Sequence, residues 1–212
     1  MTSMTPARTS PPTDVPQLGL RERKKIKTRT AIRDATYALI EEQGYDATTI
    51  EQIADRAEVS PSTVFRYFPT KEDIVLTDEH DALILEELRA RPKDEPWADS
   101  VRHIMHKALR LGHEREPEVT RLRAHLMAQV PTVRSRMMES MSVASHMLAE
   151  GIAERTGRDV DSLEVRVYTM SVVAGLAEIT QYWAENDFRD DLADLLDRAM
   201  DVLEHGLTKK NA

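Results

Sequence analysis

The chain has no cysteine. Disulfides and thiolate-held metals are excluded, and the composition suits a reducing compartment, so a cytoplasmic location is expected. Aromatic residues make up 5% and glycine only 7 of 212 residues, while Ala, Leu, Glu, Arg and Met are prominent. An all-α fold is therefore expected. The longest mainly apolar run, residues 170–179, contains Ser171 and Glu178. It is too short to span a bilayer, so no membrane partner is expected. GxSxG, HExxH and a glycine-rich phosphate loop are all missing. Nucleophilic and zinc-hydrolase chemistry lack their residues, which argues against an enzyme, and no cofactor motif is present. Residues 1–18 are rich in Thr, Ser and Pro without an apolar signal core, and read as a disordered tail.

What is present is unevenly charged. The net formal charge is -8, yet between Arg21 and Arg33 seven basic residues stand against a lone Glu22. From Glu72 onward twenty-eight acidic side chains outnumber eighteen basic ones. The positive segment can engage phosphates while the acidic remainder is held away from them. Arg21, Lys24, Lys25 and Lys27 are thus candidate nucleic-acid backbone contacts, with a solvated helix start as the alternative. Basic side chains oppose the dipole at a helix N-terminus, so their placement points to another benefit.

The stretch Thr48–Lys71, TTIEQIADRAEVSPSTVFRYFPTK, carries the densest local signals. Thr48 and Thr49 lie three residues before Glu51 and Gln52, so either register gives a capping box. Ile50, Ile53, Ala54 and Ala57 follow at helical spacing. Ser60-Pro61 is a cap followed by the residue suited to the first helical position, so a second helix starts after a turn through Val59. That helix buries Val64 and Phe68 and turns Ser62, Thr63, Arg66 and Tyr67 outward. Pro69 ends it, and Thr70 with Asp73 starts the next. Two helices, a short turn and a polar outward row fit a helix-turn-helix that lays its second helix in the DNA major groove.

At these residues a family resemblance becomes specific. The run from Gly19 to Val75, with Gly44-Tyr45, TTIEQIA and VSPSTVFRYFPTKEDIV, resembles the DNA-binding domain of TetR-family regulators. The resemblance implies a three-helix DNA-binding domain over 19–70 and a larger ligand-binding and dimerisation domain over 71–212, about nine helices in all. Thr48, Thr49, Ser60, Ser62, Thr63, Phe65, Arg66, Tyr67 and Lys71 are its DNA-facing candidates. Ser62 and Thr63 would read bases, Arg66 a base or a phosphate, and Tyr67 and Lys71 the backbone. The family often has an aromatic hydroxyl where Phe65 stands, and Phe65 cannot replace that contact.

Downstream, one helix is expected over 71–90, with Ile74, Leu83, Ile84 and Leu88 as its buried residues. Further helices are expected near 97–113, 117–129, 132–155, 161–185 and 189–205, each bounded by Gly or Pro punctuation or by charged breaks. Eight methionines fall after residue 72. Met fills irregular core and equally lines adaptable cavities. Met105, Leu109, Leu126, Met127, Met137, Met141, Tyr168 and Val172 are the pocket candidates. GLRERKK, RYFPTKEDIV and DLADLLDRAMDVL resemble a subgroup with MftR-type C-terminal domains and acyl-CoA-like ligands, for whose phosphates Arg121, Arg123 and Arg134 are candidates. The family pairs its last two long helices with their copies. This implies a homodimer on a palindromic double-stranded operator, with Val173, Ala177, Trp183, Leu195, Ala199 and Val202 as interface candidates. The function implied is a repressor released by a small apolar or acyl-CoA-like effector. Two alternatives remain: a ligand-binding helical protein without a DNA role, and a small helical metal enzyme using His103, His106, His113 and His125.

Overall fold

The computed structural model describes residues 19–77 and 81–207, so the N-terminal stretch read as a tail lies outside it. The N-terminal part consists of α1 (Leu20–Gln43), α2 (Ile50–Arg56), α3 (Pro61–Tyr67) and α4 (Lys71–Leu76). α1 stops at Gly44, whose φ of +85° is open to glycine and whose N–H donates to the Ile40 carbonyl. α2 takes the second of the two capping registers, with Thr49 and Gln52 bonding each other's backbone amides. Ser60 caps α3, and Thr70 and Asp73 form a second box on α4. Ile32, Ile53, Ala54, Val64, Phe68 and Ile74 close around one another as the core of this head.

The body follows as α5 (Asp81–Ala90), α6 (Trp97–Arg115), α7 (Pro117–Gln129), α8 (Pro131–Thr156), α9 (Leu163–Glu185) and α10 (Leu192–His205). α9 packs against α7, α8 and α10, α10 returns onto α6, and α5 lies on α6 and α8. Gly151 permits the last of these approaches. A Cβ there would stand 2.7 Å from Leu88 Cδ2, and Leu88 is fully buried. The body core gathers Leu88, Val101, Ile104, Leu148, Val172, Trp183, Leu196 and Met200.

Ten helices are therefore described where about nine were expected. The additional boundary lies inside the expected 71–90 helix, because Thr77 caps α4 in an extended conformation, φ -73° and ψ 129°. Ile74 and Leu88 are buried as expected, whereas the side chains of Leu83 and Ile84 lie outside the described residues. α4 packs on both α7 and α8, so head and body meet over this short helix.

Candidate nucleic-acid interface and ligand cavity

Local chemistry explains how α3 is presented. Ser60 accepts from the Thr63 amide, and its hydroxyl bonds those of Ser62 and Thr63, both at 2.9 Å. This fixes the first turn of α3. Val64 and Phe68 face inward, and Phe65 and Arg66 face solvent. Arg66 lies over the Tyr67 ring at 5.4 Å and donates to Thr63 Oγ1 at 3.4 Å. Thr63, Arg66 and Tyr67 thus form one polar row, with exposed Ser62 at its start. Arg21, Lys24, Lys25 and Lys27 project from the first turns of α1 into solvent.

Two of the DNA-facing candidates are placed otherwise. Thr48 is buried, and its hydroxyl donates to the Gly44 carbonyl. Lys71 turns back into the head, where its ammonium donates to the carbonyls of Tyr45 (2.7 Å) and Thr48 (2.8 Å) and lies 4.0 Å from the Tyr45 ring centre. Partial burial lowers its pKa. The amine therefore ties the α1–α2 loop to α4, because those two carbonyls have no helical partner and a buried ammonium needs acceptors. Thr49 is occupied with its capping box, though exposed.

The Tyr45 hydroxyl donates to Glu72 at 2.8 Å, and burial followed by this bond raises the phenol's pKa. Next along α4, Asp73 takes Arg136 of α8 at 2.8 and 3.2 Å while also capping Thr70. Burial opposes ionisation there, but the hydrogen bonds of Arg136 and Thr70 outweigh it and keep the Asp73 carboxyl below its usual range.

Between head and body lies a cavity of about 520 Å³. Leu109, Met105, Val172, Leu176, Ile179 and Trp183 give it a mainly apolar wall. Its polar residues come largely from the head side and from one stripe of α7. They are Arg33 and Tyr37 of α1, Thr77 after α4, and Glu116, Thr120 and Arg123, joined by Ser140 of α8 and Thr180 of α9. Arg33 forms an ion pair with Glu116, and Arg123 donates to the Leu76 carbonyl at 3.1 Å. Exposed Val143 and Ala144 of α8, with half-buried Ser140, contribute the side of the lining nearest solvent.

Of the expected pocket residues, Met105, Leu109, Met127 and Val172 line this cavity. Leu126 and Met137 instead pack in the cluster of Tyr37, Ile40 and Tyr45, and Tyr168 turns edge-on to Trp97. Met141 is half-buried and does not contribute to the wall. Each of these side chains has its own packing partners or lies on another face of its helix. Arg123 reaches the cavity, whereas Arg121 and Arg134 are exposed.

Comparison with known proteins decides the family. The MftR C-terminal domain model matches residues 95–208, and the model for bacterial regulatory proteins of the tetR family matches residues 32–77. The chain belongs to the TetR family. The HTH-type transcriptional regulator TcmR of Streptomyces glaucescens is 33% identical over 150 residues, covering 68% of this chain and 66% of that protein. The fatty acid metabolism regulator protein of Bacillus subtilis is 26% identical over 188 residues, covering 84% of this chain and 95% of that one. Among solved structures, Thermus thermophilus FadR in complex with lauroyl-CoA matches with a TM-score of 0.56 and 24% identity, over 87% of this chain and 97% of its own. Bacillus subtilis FadR in complex with stearoyl-CoA matches at 0.53 and 24%, over 84% and 99%. The structural matches establish a shared fold.

As a TetR-family member the chain is a non-enzymatic, DNA-binding regulator, and no helix is long and apolar enough to cross a membrane among the described residues. His103 meets Glu87 at 3.3 Å and His106 meets Asp197 at 2.9 Å, while His125 is exposed and the His113 side chain is outside the described residues. Two expected dimer contacts are corrected. Leu195 sits in the protomer's own core, and Trp183 lines the cavity, its indole N–H donating to the Asp190 carbonyl and its ring edge-on to Phe188. Val173 also faces the cavity. Ala177 and Ala199 are half-buried and Val202 is exposed.

Arg33, Tyr37 and Glu116 were not among the sequence candidates, although a signal existed. α1 has a second inward face, Arg33, Tyr37 and Ile40, beside the Ile32, Ala35 and Leu39 stripe, and a helix with two such faces must touch two bodies.

Proposed function

We propose that this TetR-family regulator represses transcription as a homodimer and is released from its operator when an acyl chain fills the cavity between head and body. One observation carries the reading: the cavity wall includes Arg33 and Tyr37, which belong to the first helix of the DNA-binding head. A ligand in that space touches the element that orients α3, so its binding energy differs between two head positions and shifts their populations. The lauroyl-CoA and stearoyl-CoA complexes of the FadR proteins support the acyl-CoA-like class.

Exposed Leu163, Val167, Met170 and Tyr182 of α9, with Val202 of α10, are the apolar surface available to a second copy. Ala177 and Ala199 lie on the same two helices, so the proposed interface keeps the expected helices and exchanges Trp183, Leu195 and Val173 for this outer face. A two-fold pair presents two α3 helices to a roughly palindromic site. Ser62, Thr63, Arg66 and Tyr67 are the proposed contacts to DNA, with the basic start of α1 on the backbone.

The test is an electrophoretic shift with promoter DNA adjoining the protein's own gene, with and without lauroyl-CoA or stearoyl-CoA. A specific, salt-sensitive shift that the acyl-CoA abolishes is expected. A shift indifferent to every acyl-CoA would overturn the effector class, and absence of any specific shift would overturn autoregulation at that site.

A further inference from the structure

α3 carries one side chain that its polar row does not explain. Phe65 is 52% exposed, and among the described residues from Gly44 to Thr77 it is the one large apolar side chain open to solvent. Its neighbours behave oppositely. Val64 and Phe68 are buried, and even Tyr67, which bears a hydroxyl, packs partly against the head's core, where Phe65 takes no part. A lone exposed apolar side chain elsewhere on a surface asks for no explanation. On the outward face of α3 it does. Ser62, Phe65 and Arg66 lie at i, i+3 and i+4 and are therefore adjacent there. Arg66 is engaged on the other side, with Thr63 Oγ1 and the Tyr67 ring, and the Ser62 hydroxyl is bonded to Ser60. The face thus divides into a polar half, Thr63, Arg66 and Tyr67, and an apolar half headed by Phe65.

We infer that Phe65 reads the 5-methyl group of a thymine in the major groove, and so sets specificity at one base pair of each half-site. The inference rests on α3 being the helix that contacts DNA, and it adds a base-selecting contact at a residue with no hydrogen-bonding group. Base edges in that groove present donors and acceptors with a single apolar exception, the thymine methyl. A phenyl ring set against a donor or acceptor strips it of water without replacing the hydrogen bond, whereas against a methyl it buries two apolar surfaces together. T·A is thereby favoured over the other pairs at that position. The contact engages no phosphate, so it leaves the salt dependence of binding unaltered.

The probes are duplexes that the full-length protein enriches from a random-sequence pool, remade with deoxyuridine in place of one thymine per half-site in turn. Deoxyuridine keeps every donor and acceptor of thymine and lacks only the methyl. At one position the unsubstituted protein is expected to bind about fourfold more weakly per half-site, the value of one buried methyl group. Phe65→Ala is expected to lose affinity for the thymine duplex and to become indifferent to the replacement. Phe65→Leu, which keeps an apolar side chain, is expected to retain part of the sensitivity. Circular dichroism melts check that each variant is folded, and Phe65→Gln takes the place of Phe65→Ala if that one is not. The inference is overturned if no thymine methyl matters to the unsubstituted protein, or if Phe65→Ala remains as sensitive to deoxyuridine as the unsubstituted protein. A loss in Phe65→Ala that is equal on enriched and random duplexes also overturns it, and moves the ring onto the sugar-phosphate backbone. The DNA reading fails separately. A pool from which nothing is enriched removes that reading and the role of Phe65 with it, whereas enriched duplexes with wholly replaceable thymines leave α3 as the reading helix and remove Phe65 alone.

Discussion

Head and body solve different problems. The head is held by short-range devices: two capping boxes, a capped and proline-started α3, a lysine clamp and a compact core of seven buried side chains at its centre. The body is made of long helices whose faces meet imperfectly and leave a cavity of about 520 Å³. The contrast teaches where each property resides. Reading a DNA surface requires side chains fixed to within a fraction of an ångström, which local bonds provide. Responding to a ligand requires a space that packing leaves open, at some expense in stability.

The largest expected effect comes from Val64→Asp, which puts a charge in the middle of the head's core and should cost about 4 kcal/mol or more. Urea unfolding followed by circular dichroism tests whether the head melts alone. A second transition, with body helices retained, would show the two regions to be separate cooperative units; a single transition would show that the α4 contacts unite them. Gly151→Ala attacks the other region. With the Cδ2 of fully buried Leu88 2.7 Å from the new Cβ, Leu88 must shift within a packed core; a loss of about 1–3 kcal/mol is expected from overpacking, and DNA affinity of the folded fraction should be unchanged.

On the reading surface, Arg66→Ala should weaken operator binding by about 1–3 kcal/mol if the guanidinium meets a base edge, with specificity relaxed at one position of the site. Competition between operator variants measures this, and a uniform loss across all of them would assign Arg66 to a phosphate instead. Lys71→Ala separates clamp from contact. Because its ammonium is engaged with the Tyr45 and Thr48 carbonyls, the substitution should lower the melting temperature of the head while the slope of affinity against salt stays as it was. A slope flattened by about one unit would instead give Lys71 a phosphate.

The smallest effect is a pH dependence. Glu95, which accepts from Arg91 and Ser100, is held down to about 2, chiefly by the Arg91 hydrogen bond. A carboxyl depressed in the folded state stabilises fully above its unfolded pKa, and that contribution is lost as pH falls from about 4.5 toward 2. Asp73, also depressed, adds a loss of the same sign. Thermal melts across this range should show Glu95→Gln removing part of the acid sensitivity, and an unchanged profile would deny Glu95 the role.

The same contrast explains what was legible in the sequence. Caps, proline starts and glycine stops act within a few residues, so Thr49–Gln52, Ser60-Pro61 and Thr70–Asp73 announce the head's helices and put Val64 and Phe68 inside. The fate of Lys71 was hidden, because it depends on where two loop carbonyls point. The break at Thr77 was hidden too, since neither Gly nor Pro marks it. Cavity membership follows from how five or more helices fail to touch, which no periodicity records. Met105 and Val172 were found by composition and stripe, Leu126 and Tyr168 were packed elsewhere, and Arg33 came from a helix assigned to the other region.

Trp183 gives the molecule a built-in optical gauge. The chain has only 2 tryptophans, and Trp97 is set against Tyr168 away from the cavity, whereas Trp183 forms part of its wall with its indole N–H fixed on Asp190. A molecule entering the cavity changes the surroundings of one emitter and leaves the other as a reference. Intrinsic fluorescence can therefore follow occupancy in unlabelled protein, at the concentrations where DNA binding is measured.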